Sequence, residues 1–308
     1  MSDRVSILIK TFERQDCLAY LLESVRRHGL RSRILIADDS RRPYGAQIRA
    51  AFPDLAITYC ELPFDVGLSA GRNRLLEQVE TELFLLMDDD YRVDRRTDIE
   101  RAIRILEEKG LDVLGGLNYD YKTVRGGFDL FLRRVQMALT GGVPFNYLGD
   151  FEREGDRLTV RYYKTRNDRY LETDIVLNFF VARTEKIRSL NPWDEQLKFD
   201  EHTEFFLRAK LNGLRVAYTP EFGIGHCPVK LPHYTPFTDR GEEPLIYMHK
   251  KHGIREWRAV RDDGETQITI FENGRLSRRF EFERSLSGFR RRLRRKRRGQ
   301  LKPDSASP

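Results

Sequence analysis

Nowhere in the 308 residues does an apolar run approach the roughly 18 that a membrane-crossing helix needs. Cysteine is scarce. Cys17, Cys60 and Cys227 form an odd, scattered set, which argues against a disulfide framework and fits a reducing compartment. His226 and Cys227 adjoin, but no CxxC or HxxxH spacing accompanies them, so a structural zinc site is not expected. The opening MSDRVSILIKTF has too short an apolar stretch for a secretory signal and runs straight into a strand-like segment. Internal repeats are lacking too. What these absences leave is a globular, cytosolic-style chain whose 40% hydrophobic content is enough to build a core.

Acidic residues are missing from one stretch. Residues 289–302 carry nine basic side chains and no acidic one, while the rest of the chain holds 46 basic against 48 acidic. The formal charge of +7 therefore belongs to the tail and says nothing about the remainder. Leu286, Phe289 and Leu293 fall at helical spacing within this region. A basic amphipathic helix over 285–302 would lie on an anionic membrane surface; a free tail or a nucleic-acid contact are the other readings. No specific nucleic acid is expected.

The rest of the chain alternates strand and helix. Apolar runs at 5–9, 34–37 and 83–87 suit strands buried on both faces, with a shorter strand at 56–60. Between them, 16–28 and 70–78 read as helices, followed by a helix over 98–109 and a strand over 111–114. Residues 118–170 are irregular, with a hairpin across 147–163. A strand over 175–182, a helix over 203–212 and a short strand at 216–218 follow, and Gly223-Ile224-Gly225 then reads as a flexible loop. Residues 257–283 form a hairpin turning at Asn273-Gly274. This order predicts an α/β fold with a mostly parallel central sheet flanked by helices, a C-terminal hairpin and a basic tail. Such sheets bind ligands beyond the carboxyl ends of their strands.

Two acidic clusters stand at that position. Asp88-Asp89-Asp90 ends one strand, where carboxylates can hold a divalent cation against a diphosphate leaving group, one pointing to the metal and one to the ribose. Alone, the triplet reads more readily as a solvated acidic turn capping the next helix. Asp38-Asp39 ends another strand, where a carboxylate can accept the N–H of uracil or simply cap a helix. Gly67 to Asn73 precedes a helix, whose N-terminus favours an anion.

Taken in order, these segments resemble the family 2 glycosyltransferases of GT-A fold, and more closely the β-1,4-N-acetylgalactosaminyltransferase type. The resembling residues are Ile9 to Phe12 with Arg14, Ile36 to Ser40, Ser69 to Asn73, Asp88 to Asp90 and Leu111-Asp112 with Gly115-Gly116. They continue through Leu177 to Phe180, Ala182 to Thr184, His202 to Phe206, and His226 with Lys230 to Pro232. No anchor and stem of the kind found in animal Golgi relatives is read here, so the resemblance assigns neither acceptor nor compartment.

The resemblance, with strand position, implies roles. Thr11 and Arg14 lie along the nucleotide, Asp39 (or Asp38) meets uracil, and Arg72 and Asn73 reach base or diphosphate. Asp88 and Asp89 adjoin the nucleotide. Asp90 binds the metal with His226 and Asp88, and the ion is Mn²⁺ or Mg²⁺. The base that deprotonates the acceptor comes from Asp200, Glu201 and Glu204; Glu204 is favoured and Glu201 is next. In relatives a Glu-Asp pair supplies this base, whereas this chain reads Glu201-His202. Gly115, Gly116, Asp174, Asn178 and Trp193 are candidates for the sugar and acceptor pocket.

The expected organisation is a GT-A domain over 1–250, a hairpin over 251–284 and a tail over 285–308. The expected function is inverting, metal-dependent transfer from a UDP-sugar to a glycan or glycolipid acceptor. It would take place in the cytoplasm or at the inner face of a membrane. The alternatives are a sugar-phosphate nucleotidyltransferase, disfavoured because Lys10 to Arg14 holds no glycine, and a non-catalytic nucleic-acid-binding protein.

Overall fold

The structure, a computed structural model, describes residues 4–121, 124–125, 142–163, 169–199, 201–230, 234–238, 241–262 and 264–282. The chain divides into two compact units, Met1–Gly149 with Arg166–Pro244, and Asp150–Thr165 with Leu245–Pro308.

The first unit is built on a ten-stranded mixed sheet. Its strands are β1 (Val5–Thr11), β2 (Ile34–Asp38), β3 (Ile57–Glu61), β4 (Leu83–Asp88), β5 (Tyr91–Arg92), β6 (Val113–Asp120), β8 (Val143–Phe145), β11 (Leu171–Glu172), β12 (Phe180–Arg183) and β13 (Val216–His226). The short pair β7 (Val124–Arg125) and β14 (Val229–Lys230) stands apart. In the main sheet the order is β11-β13-β6-β12-β4-β1-β2-β3. It is parallel from β3 through β4, while β12 runs antiparallel to both its neighbours.

Every residue of β1 is buried, as a strand covered by helices on both faces requires. One face packs on α1 (Gln15–Arg27) and α4 (Ile99–Glu108), which turn in Leu18, Leu21, Leu22 and Val25, and Ile99, Ala102, Ile103 and Leu106. Helix α4 starts where Asp98 accepts a hydrogen bond from the Arg101 amide, satisfying one of the free N–H groups of the first turn. Three more helices belong to this unit: α2 (Gly45–Ala51), α3 (Leu68–Glu77) and α5 (Thr184–Arg188). So do α6 (Glu201–Leu211) and α7 (Thr235–Thr238). Phe205 and Phe206 of α6 pack against Phe180 of β12.

In the second unit, α8 (Glu243–His252) accompanies a five-stranded sheet. Its strands are β9 (Leu148–Glu154), β10 (Arg157–Tyr163), β15 (Glu256–Arg261), β16 (Glu265–Glu272) and β17 (Arg275–Phe282). The hairpin expected over 257–283 is its β16–β17 portion. Asn273 and Gly274 both take positive φ there, as a two-residue hairpin turn demands.

Two departures from the sequence expectation matter for the site. The apolar run 175–182 becomes strand only from Phe180. Before that it is irregular chain with Ile175, Val176 and Phe179 buried, which hydrophobicity alone cannot tell from strand. The short strand at 216 continues past an irregularity between Tyr218 and Gly223 to His226, so Gly223-Ile224-Gly225 is paired strand and not a flexible loop. A Cβ on Gly225 would come within 3.0 Å of the Tyr121 ring, so glycine here serves close packing.

Candidate active site

Parallel pairing sets the ends of β1, β2 and β4 side by side, with Thr11 opposite Asp38 and Lys10 opposite Asp88. The acidic triplet therefore projects beyond the sheet next to Thr11 and Arg14. Asp89 is fully buried and accepts the Thr11 hydroxyl at 2.7 Å. The Arg14 guanidinium bridges the triplet, paired with Asp89 and with Asp90 at 3.0 Å, and stacks over the Tyr234 ring at 4.7 Å. Burial drives the Asp89 carboxyl upward more than Arg14 can offset. At Asp90 burial acts in the same direction, but Arg14 and His226 outweigh it and hold the group well below the usual carboxylate range. Asp90 is thus the more acidic of the two carboxyls that share Arg14.

His226 is fixed from two sides. In the sheet it sits opposite Asp120 of β6 and Tyr91 of β5. Residues paired directly across parallel strands face the same way, and the Nδ1 atom of His226 lies 2.8 Å from the Asp120 carboxylate. This leaves Nε2 directed toward Asp90, 3.7 Å from Oδ2. Burial favours neutral imidazole, yet the contacts to Asp120 and Asp90 prevail and raise the ring to about 10. The arrangement is carboxylate–histidine–carboxylate, with the outer carboxylate orienting the imidazole. Asp120 was not foreseen. It lies in the stretch that sequence leaves illegible, and only its pairing with His226 reveals it.

Arg72, 1% exposed, forms a second bridge, holding Asp88 at 3.0 Å and Glu201. Asp88 therefore faces the arginine and is not brought into contact with His226 and Asp90. Glu204 is placed elsewhere. Both its oxygens accept from Arg208, at 2.7 and 2.8 Å, and Arg208 also donates to the carbonyls of Leu190, Asn191 and Pro192. Next to Glu201, the His202 ring hydrogen-bonds through Nδ1 to Asn178 Oδ1 at 2.7 Å, and its Nε2 is buried without a partner. Burial and then Arg72 push this imidazole down to about 3.

The remaining candidates divide between site and scaffold. Asp38 accepts from Ser40 N, Tyr44 N and Tyr59 Oη, so it holds the β2–α2 turn. Asp39 is buried, pairs with Lys10 and accepts the Gly67 amide. Lys10, another residue not foreseen, is pushed down by burial and sustained by Asp39. Asn73 bonds both ways to the Trp193 backbone and donates to Glu195, tying α3 to the 193–195 loop. Trp193 lies flat on Phe205 at 4.9 Å and is 2% exposed, so it fills the core edge. A Cβ on Gly115 would strike Val176, and one on Gly116 would strike Phe179, so core packing accounts for both glycines. Asp174 pairs with Lys210 at 2.6 Å. Phe12, Phe64 and Phe237 cluster with Tyr234 beyond the β1 end. Asp200 and the basic segment 285–302 lie outside the described residues.

Comparison with known proteins gives consistent likenesses. The signature of the family described as "Glycosyl transferase family 2" matches residues 6–183. Human beta-1,4 N-acetylgalactosaminyltransferase 1 is 34% identical over 233 residues, covering 75% of this chain and 40% of the relative. Mouse beta-1,4 N-acetylgalactosaminyltransferase 2 is 31% identical over 236 residues, covering 75% and 41%. The chain thus spans about two fifths of the length of the curated relatives it matches. Among solved structures, S. aureus TarS 1-349 aligns with a TM-score of 0.51 at 19% identity, over 73% of this chain and 60% of that one. The same protein in complex with UDP gives 0.50 at 18%, over 74% and 61%. At those identities the structural likeness speaks for the fold alone.

Proposed function

From the premise that the chain belongs to glycosyl transferase family 2, we propose that it transfers a sugar from a UDP-sugar to a hydroxyl of a glycan or glycolipid, with inversion. N-acetylgalactosamine, carried by the relatives' names, is the first donor sugar to test, and other hexoses follow. The observation that carries this reading is the convergence of Asp90 and His226 Nε2 at neighbouring strand ends, with Asp120 holding the imidazole behind.

With the Nε2 proton of His226 displaced on binding, this donor set suits a divalent cation, Mn²⁺ or Mg²⁺. Among the described residues no group of three or more His, Cys, Asp or Glu side chains is arranged to hold a metal ion by itself. One carboxylate and one oriented imidazole leave positions for phosphate oxygens and water, the pattern of cations bound together with a nucleotide. Bound there, the cation would supply charge neutralisation to the departing diphosphate. Arg14 adds a fixed positive charge beside it, already desolvated and oriented. Asp88, steadied by Arg72, is assigned to the ribose. Asp39 is assigned to uracil, since its oxygens retain lone pairs beyond the bonds to Lys10 and Gly67.

The test is a panel of nucleotide sugars with Mn²⁺, reading donor hydrolysis and thermal shift for wild type and Asp90→Ala. A metal-dependent response to one UDP-sugar that disappears in the variant is expected. A response that survives intact in Asp90→Ala would refute the metal assignment. Family membership does not favour the nucleotidyltransferase and nucleic-acid alternatives. No helix among the described residues is long and apolar enough to cross a membrane. The basic segment 285–302 is proposed to touch anionic lipid; flotation with phosphatidylserine vesicles should be lost on truncation at residue 285, and unchanged flotation would remove the idea.

A further inference from the structure

We propose that His202, oriented by Asn178, is the base that takes the proton of the incoming hydroxyl. This rests on the transferase reading above and extends it to the residue that activates the acceptor.

The two carboxylates of the same helix turn are occupied, Glu201 by Arg72 and Glu204 by Arg208. His202 is different. An amide oxygen can only accept a hydrogen bond, so the 2.7 Å contact with Asn178 Oδ1 places the ring proton on Nδ1. Nε2 then carries a bare lone pair, and it is buried with no protein donor. Native structures hold few such atoms, and each calls for an explanation. A substrate hydroxyl supplies one. The Phe206 ring, edge-on at 5.0 Å, limits rotation of the imidazole. Arg72 lies near enough to lower its basicity, and the same guanidinium touches Asp88 of the triplet. Arg72 therefore stands between the imidazole and Asp88, the group assigned to the donor ribose. Its depressed basicity, about 3, keeps it neutral at physiological pH and close to the carboxylate range of about 3.9–4.3.

In the step, the hydroxyl proton passes to Nε2 as the hydroxyl oxygen bonds to the anomeric carbon. The carbon–oxygen bond to the diphosphate breaks, and its electron pair stays on the phosphate oxygen. The imidazolium returns its proton to water once the products leave.

The test uses the full chain with Mn²⁺ and the UDP-sugar that responds in the panel, with water as acceptor. His202→Gln keeps an acceptor oxygen but cannot take the proton. Its turnover should fall at least about a hundredfold, with UDP affinity within about threefold of wild type. Added imidazole should restore part of the turnover of His202→Ala. ¹⁵N spectra of histidine-labelled protein should show His202 as the neutral Nδ1–H tautomer, replaced by Nε2–H in Asn178→Ala. Turnover of His202→Gln within threefold of wild type, or an Nε2–H tautomer in the wild type, overturns the inference. No UDP-sugar response in the wild type overturns the transferase reading itself, and this inference with it.

Discussion

Replacing Glu204 separates scaffold from chemistry. Its side chain is fully buried, and Arg208, 14% exposed, has both of its carboxylate contacts there. In Glu204→Ala the guanidinium keeps the carbonyls of Leu190, Asn191 and Pro192 but loses its counter-charge. Stranding one member of a buried pair costs about 3–5 kcal/mol. For a unit of about 150–250 residues each kcal/mol lowers Tm by about 2–4 °C, so the drop should be about 6–20 °C. Glu204→Ala with Arg208→Ala should be less damaging than the sum of the single changes, because no charge is left stranded. The assay pairs thermal unfolding with turnover of the responding UDP-sugar at 25 °C, well below the transition. Turnover of the folded fraction should stay within a few-fold of wild type. A Tm within about 2 °C of wild type together with a hundredfold loss of turnover would refute the argument and make Glu204 the base.

Two further outcomes are expected. Asp120→Ala should weaken Mn²⁺ binding about 10–100-fold in the presence of UDP, the usual effect of removing the group that orients a metal-binding histidine. Asp120→Asn, which still accepts the Nδ1 proton, should bind closer to wild type; equal affinity for all three proteins by titration calorimetry would contradict the orienting role. The second outcome concerns acid stability. His202 has a folded value of about 3 against an ordinary 6.5, so the unfolded chain binds that proton first as pH falls. Its contribution to stability is complete above pH 6.5 and is lost progressively toward pH 3, about 2 kcal/mol of it by pH 5. His202→Gln should therefore lose less Tm than wild type between pH 8 and pH 5, and equal losses in calorimetric scans would count against the burial of this imidazole.

Much of the sheet was legible because its residues are apolar on both faces and its connections are helical. β1, β2 and β4 stand where apolar runs occur in the sequence, and those of β2 and β4 end at acidic residues; that pattern needs no tertiary information. The site was legible only as far as it lies at those ends. Thr11 and Arg14 meet Asp89 and Asp90 there. Asn73, Trp193, Gly115 and Gly116 have the residue types of a binding site, yet they serve packing and loop anchoring. A residue type shows what a side chain can do, whereas its partner determines what it does.

The sequence by itself determined the alternation of strand and helix, the location of charge at strand ends and the concentration of positive charge in the tail. These follow from local pattern, since strand burial and helix periodicity are set by neighbours within a few residues. Tertiary structure alone decided which carboxylates are free and which are paired. Asp120 acquires its role because β6 and β13 pair in parallel register 106 residues apart. Glu204 goes to Arg208 and Glu201 to Arg72, while His202 between them is held by Asn178 through Nδ1 and has no partner at Nε2. A buried charge must find its counter-charge, and the fold, not the order of residues along the chain, determines which one is within reach.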